Sequence, residues 1–449
     1  MKKFYLVGIL MFTAILYSCR REATDLTADS ALLSVIKSHS KTGELDFYIM
    51  PSSTDYSALP NQDPKNPVTD IKVRLGKMLF FETGIGLGTK HAESIATYSC
   101  SSCHVPERGF TPGRFQGLGD GGSGYGNTGE ARVKRDNYGS YDVDAQGARP
   151  LAMLNLTYVR NALWNGSFGS YGLNKGTEAV WGITDTLTSI NKEGYEGLEA
   201  NNHRALVTHR QVINKNVLDK LGYTSWFDQA FPEIPVDQRY TLQIAGNAIA
   251  AYFRTILTNE APFQKWLNGN SEAMTIQQKR GAELFFGKAG CVNCHNSPSL
   301  NNQRFAAVGV YNLYQNSQEA YNTDAHDARN KGRGGFTLKE EDLYKFKVPQ
   351  LYNLKDFGFY FHGASKTSIK DVVKYFNAGI PENPEVPLNR IDPLFKPIGL
   401  SDSQIDDLVE FITNGLYDPN LLRYKPYSVL SGNCFPNNDP QSKKDMGCN

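Results

Sequence analysis

Two short stretches limit what this chain can become: Cys100-Ser101-Ser102-Cys103-His104 and Cys291-Val292-Asn293-Cys294-His295. Thiols separated by two residues reach two vinyl groups on one porphyrin edge, and the next residue, a histidine, falls under the iron. Each stretch is read as a c-type haem attachment site. Cys100 and Cys103, and likewise Cys291 and Cys294, form the thioethers, and His104 and His295 ligate iron. Zinc sites and redox dithiols also use Cys-x-x-Cys. The histidine that follows in both copies disfavours them, as does the cysteine inventory. Of seven cysteines, four serve haem, Cys19 closes an export signal, and Cys434 and Cys448, 14 apart, are left to form a disulfide.

The 449 residues suffice for two or three domains. With 40% apolar and 21% charged residues the composition is that of a soluble globular protein, and a net charge of +1 gives no sign of a nucleic-acid partner. Met1-Lys2-Lys3, the uncharged run Phe4 to Ser18 and Cys19 read as a signal peptide over 1–18, too short for a confident membrane span. Leu16-Tyr17-Ser18-Cys19 resembles a bacterial lipobox. The mature protein is therefore expected to be a periplasmic lipoprotein, anchored through Cys19 to the inner or outer membrane.

Residues 19–66 are polar and then Pro-rich, a tether followed by an arm. Gly76-Lys77-Met78-Leu79-Phe80-Phe81 precedes the first haem motif and Gly281-Ala282-Glu283-Leu284-Phe285-Phe286 the second, a weak internal repeat. Helical spacing of apolar residues predicts helices over 71–81, 241–266, 274–286, 368–377 and 401–416, the last with Ser401 and Gln404 as a capping box. Arg108 to Gly147 is Gly-rich and apolar-poor. It is expected to lack a core and to lie as a long loop over the first haem, or to be partly mobile. The class is mainly α. Two cytochrome c-like domains with long irregular loops, each carrying one covalent haem, are expected over 67–270 and 271–449.

Two haems in one chain permit division of labour. A carrier haem has both axial positions filled; a catalytic one keeps a position open beside a polar group. Peroxide reduction needs, in addition, an acid-base group that moves a proton between the two oxygens.

Between about 67 and 425 the sequence resembles the bacterial di-haem cytochrome c peroxidases and the related MauG-type enzymes. The matching stretches, in the family's order, include Leu75 to Phe81, both haem motifs and Ala162-Leu163-Trp164-Asn165-Gly166. Ala248 to Thr255, Lys279 to Phe286, Lys347 to Asn353 and Tyr360-Phe361-His362-Gly363 complete them. The resemblance implies a peroxide-reacting haem on His104, an electron-accepting haem on His295, and Trp164 between them. It also implies hydrogen peroxide as substrate, a cytochrome c or copper-protein donor, and a homodimer as a common assembly.

Four departures from the family pattern carry expectations of their own. No histidine lies between Val105 and Asn202, so the loop ligand that caps the first haem in some members is missing. That site is expected to be open without prior reduction, unless His203, His209 or water fills it. The axial Met or Tyr of the second haem, fourteen residues beyond the histidine of Tyr360-Phe361-His362-Gly363, falls on Phe376, with Tyr375 beside it. That leaves a shifted helix, another ligand or five-coordinate iron. The acid-base Glu motif is absent; Glu199 is the first candidate, then Glu196 and Glu193. The Asn fifteen before the Trp, a calcium ligand in the family, falls on Arg149, which leaves calcium a weak expectation through backbone carbonyls alone. The expected function is reduction of hydrogen peroxide to water. The rivals are a MauG-like peroxide-dependent oxidase of a protein or organic substrate, and a non-catalytic di-haem electron-transfer lipoprotein.

Overall fold

A computed structural model describes residues 29–448, so the expected signal peptide and Cys19 lie outside the described residues. Eight helices position the site: α1 (29–39), α2 (Asp70–Phe81), α3 (Gly197–Thr208), α4 (Leu242–Thr255), α5 (Ile276–Phe286), α6 (Ile369–Ala378), α7 (Asp402–Glu410) and α8 (Pro440–Met446). Among the described residues, strand is confined to two antiparallel two-residue ladders. β1 (Gly122–Ser123) pairs with β2 (Val133–Lys134), and β3 (Phe305–Ala306) with β4 (Phe346–Lys347).

The internal repeat has a packing cause. In the first lobe α2 crosses α4, and in the second α5 crosses α7. A Cβ on Gly76 would overlap the Ala248 carbonyl, and one on Gly281 would overlap the Asp407 carbonyl. The glycine of Gly-x-x-Leu-Phe-Phe therefore lets two helix backbones touch at each crossing. The phenylalanines that follow fill the cores. Phe80 and Phe81 are buried with Ile249, Tyr252 and Phe253; Phe285 and Phe286 are buried with Phe263, Leu408 and Phe411.

Side-chain caps fix the helix starts. Thr69 accepts from the Lys72 N–H, and Thr275–Gln278 and Ser401–Gln404 form complete capping boxes. The helix predicted over 241–266 stops at Thr255; Pro262, which suits a first helical turn, opens a separate short helix over Pro262–Leu267.

The two lobes exchange their ends, which corrects the expected division of the chain. Leu32, Ile36, Tyr48, Met50 and Leu59 of the N-terminal arm are buried in the second lobe's core. Conversely Leu421, Tyr424 and Val429 belong to the core of the first lobe, so the second unit does not run to the C-terminus. The Cys434–Cys448 disulfide and α8 close that returning tail. Asp439, fully buried, pairs with buried Arg132 at 3.3 Å and accepts from the Gly124 N–H at 3.0 Å. The segment 108–147 is thus ordered by buried polar bonds to a distant tail, with Leu118, Tyr138, Val143 and Ala145 as a small core of its own. Composition, which shows only that segment's shortage of apolar residues, does not reveal this.

Candidate active site

Both Cys-x-x-Cys-His stretches fold into the same short turn. The His104 N–H donates to the Cys100 carbonyl at 3.1 Å, and the His295 N–H to the Cys291 carbonyl at 3.0 Å. Each imidazole is held through Nδ1, that of His104 by the Phe110 carbonyl (3.1 Å) and that of His295 by the Leu300 carbonyl (2.7 Å). A carbonyl at Nδ1 makes that nitrogen the N–H and leaves the Nε2 lone pair free for a metal. Burial pushes both imidazoles down to about 4, so each is neutral at physiological pH, as ligation requires. The same burial pushes the Cys100, Cys103 and Cys291 thiols up to about 12. Among the described residues no cluster of three or more His, Cys, Asp or Glu side chains could hold a metal ion.

The two turns open onto one continuous cavity of about 660 Å³, walled mostly by apolar side chains. Phe80 stands 6.4 Å from the His104 ring and Phe285 6.3 Å from that of His295, so the repeated phenylalanine backs the histidine in both units. Paired free thiols, an oriented neutral imidazole beside each pair and a shared apolar chamber fit two covalently held haems.

Trp164 lies on the wall of this chamber and is tied to both lobes. Its indole N–H donates to the Arg149 carbonyl at 2.6 Å, and its own carbonyl accepts from the Lys347 N–H at 2.8 Å. Its ring meets His362 edge-on at 6.2 Å. Arg149, where calcium was weighed, is buried. Its guanidinium donates to the carbonyls of Arg114, Phe115, Pro112 and Phe357 and to the Thr111 hydroxyl. Burial lowers it to about 9, which keeps it cationic at neutral pH. A tethered cation thus occupies the carbonyl oxygens that a calcium ion would need.

The expectation for Glu199 is corrected. Its side chain is fully buried, away from the chamber, in a two-bond ion pair with Arg254 of α4 at 2.5 and 2.9 Å, and it also accepts from Asn66 at 2.9 Å. It clamps α3 to α4. Glu196 pairs with Arg160 at 2.5 Å and Glu193 is exposed; neither lines the chamber. The sequence signal of partial burial at 199 was real, but its partner lies 55 residues away.

The polar groups that do face the first attachment turn come from α3 and the loop before Trp164. Asp144, Gln146, Asn201, Asn202, Arg204 and His209 all line the chamber. Asn201 Oδ1, Asn202 Nδ2 and Arg204 Nε are buried without a hydrogen-bond partner, Arg204 Nε standing 3.9 Å from the Asp185 carboxylate. His209 Nδ1 lies 2.9 Å from both oxygens of Asp144, itself 7% exposed, and Nε2 lies 3.1 Å from the Gln146 amide nitrogen. The carboxylate fixes the proton on Nδ1, and the amide N–H then donates to Nε2, which is left basic. Of the two histidines weighed as caps, His203 does not reach the chamber, and both nitrogens of His209 are already bonded.

The chain is similar to several known proteins. A family model described as di-haem cytochrome c peroxidase matches residues 70–272. The cytochrome-c peroxidase IdrP1 of Denitromonas iodatirespirans is 28% identical over 366 residues, spanning 77% of this chain and 82% of its own. The methylamine utilization protein MauG of Methylorubrum extorquens is 27% identical over 350 residues, covering 77% and 78%. The chain is thus similar to the di-haem cytochrome c peroxidases and to MauG over about three quarters of its length. The cytochrome c peroxidase Ccp of Escherichia coli is 30% identical over 379 residues, 82% of this chain and 64% of the relative. In fold, the chain is similar to a MauG-like protein associated with microbial copper homeostasis. That structure has a TM-score of 0.56 at 21% identity, over 83% of this chain and 96% of the other.

Proposed function

We propose that this protein is a di-haem peroxidase that reduces hydrogen peroxide at the site beside His104, with electrons entering through the site beside His295. The unequal lining of one chamber carries the reading. Around the first turn the wall holds buried groups without hydrogen-bond partners and a carboxylate-oriented imidazole; around the second, the α6 face that lines it is aliphatic and phenyl. Bound haem iron supplies the electrons that break the O–O bond. The chain's own residues handle protons and position. Asn202 and Arg204 offer N–H groups to a bound oxygen. His209 Nε2, on exchanging its Gln146 hydrogen bond for one to the peroxide, would take a proton from one peroxide oxygen and return it to the leaving one, while Asp144 stabilises the imidazolium. The reaction balances as H2O2 with two electrons and two protons giving two water molecules.

The reading extends to a small external donor, a cytochrome c or a cupredoxin, to a lipid on Cys19 that holds the body at the periplasmic face of a membrane, and to a homodimer. Mass analysis of the mature N-terminus and sedimentation of the purified body check the last two. No described helix is long and apolar enough to cross a membrane. The MauG-like alternative, modification of a protein or organic substrate, predicts an oxidised product in place of donor turnover.

Rapid mixing of the fully oxidised protein with hydrogen peroxide, followed at the Soret band, tests the core of the proposal. A shift without prior reduction is expected, and no shift in either oxidation state leaves an electron carrier. Asp144→Asn and His209→Gln should slow that shift by about 10²–10⁴-fold, the usual contribution of a positioned acid-base group. Unchanged rates in both variants would remove His209 from the mechanism.

A further inference from the structure

We propose that the chain supplies no sixth ligand to the haem held by Cys291, Cys294 and His295, so that this second site is an open, apolar pocket for a small neutral diatomic such as carbon monoxide or nitric oxide. The inference rests on the reading of two covalent haems. It concerns the haem that a pure relay would keep closed.

The wall near the second turn is built largely by α6 and the segment that follows it. Ile369, Val372, Val373 and Phe376 fall at helical positions i, i+3, i+4 and i+7, one face, and all four line the chamber. None carries an atom that can ligate iron. Tyr375 does, but it lies off that face, and its hydroxyl donates to the Val308 carbonyl at 2.5 Å. Beyond α6 the wall continues with Phe395, Ile398 and Leu400.

The remaining donor groups are committed or misplaced: Lys347 Nζ, without a hydrogen-bond partner, stands 4.9 Å over the ring of Phe305, which does not line the chamber. His362 Nε2 lies 3.0 Å from Asn312 Oδ1, and its ring is stacked on Phe346 at 3.6 Å. The Asp392 carboxylate is held by Arg304. Met50 and Met274 are buried in the second core away from the chamber, and Met153 is bonded through its N–H to the Phe110 carbonyl that also holds His104. Lys396 reaches the rim as a solvent-exposed ammonium. The α6 face of this wall provides neither a proton carrier nor a charge. It therefore favours small neutral ligands and gives peroxide no acid-base partner, unlike the first site.

The test uses the holoprotein. Haem is first counted by pyridine haemochrome; two per chain are required, and one would overturn both this inference and the reading beneath it. Magnetic circular dichroism of the ferrous, ligand-free protein should then show two high-spin haems, and titration should bind two carbon monoxide molecules per chain. A low-spin ferrous component, or a single carbon monoxide, overturns the inference while leaving peroxide reduction intact. Phe376→Met should convert one of the two ferrous haems to low spin. Failure to do so in a variant that still carries two haems would show that this face does not meet the second iron, and would overturn the assignment.

Discussion

Replacing Glu199 by glutamine separates a clamp from a catalyst. Glutamine keeps the shape and one acceptor oxygen but removes the negative charge. Arg254, 1% exposed, would then stand as a buried guanidinium without a counter-charge, and its Nε has no partner even in the native protein. Breaking a buried ion pair from one side costs about 3–5 kcal/mol. Each kcal/mol lowers the melting temperature by about 2–4 °C in a unit of 150–250 residues, so a fall of roughly 6–20 °C is expected for the first lobe. The assay is thermal unfolding of the holoprotein by circular dichroism, alongside the peroxide-induced Soret shift measured well below the transition. The clamp reading expects a large melting shift and a peroxide rate within a few-fold of wild type. A melting temperature unchanged within a degree or two, together with a rate loss of about 10²-fold or more, would restore Glu199 as the proton carrier and refute the assignment of that role to His209.

Two further outcomes follow from buried groups and the tail. Lys347 is 5% exposed without a hydrogen-bond partner; burial, with Arg333 nearby, pushes its ammonium down to about 7. The unfolded chain keeps that proton up to about 10.4, so the cost of burying the ammonium is full below pH 7 and fades as the pH rises towards 10. Lys347→Met should therefore melt above wild type at pH 6, with the gap closing between pH 7 and 10. No gap at pH 6 would mean that an anionic group of the bound cofactor neutralises the ammonium. Cys434→Ser with Cys448→Ser opens a loop of 14 residues and should cost about 2–4 kcal/mol, seen as lost amide protection in 122–134 as well as in the tail. Protection lost from the tail alone would show that the Arg132–Asp439 pair holds the loop without the disulfide.

What the sequence shows well is whatever local chemistry dictates. Two thiols and a histidine must share one short turn to hold a porphyrin, so both attachment turns are legible from spacing. The paired Gly-x-x-Leu-Phe-Phe is legible as a repeat, although its cause, a helix crossing closed down to backbone contact, needs Ala248 and Asp407 in place. Glu199 is the opposite case: apolar neighbours reveal burial, but not whether the buried carboxylate faces an arginine or a substrate. His209 carries no local mark of its role, because Asp144 lies 65 residues earlier in the chain. The loop over 108–147 misleads for the same reason: Asp439 lies 307 residues beyond Arg132.

The two lobes differ least where they hold the cofactor and most where they face its open side. Each has a glycine-mediated helix crossing, a phenylalanine behind the histidine, and a carbonyl on Nδ1. A division of labour cannot arise from parts so alike. It arises from the helix each lobe adds to the chamber wall. α3 brings Asn201, Asn202 and Arg204 and ends at His209, whereas α6 brings Ile369, Val372, Val373 and Phe376. Proton chemistry needs the first set and is starved by the second. Function in this chain is therefore governed by side chains distant in sequence from both haem motifs, and exchanging attachment turns between lobes should leave peroxide reactivity with α3.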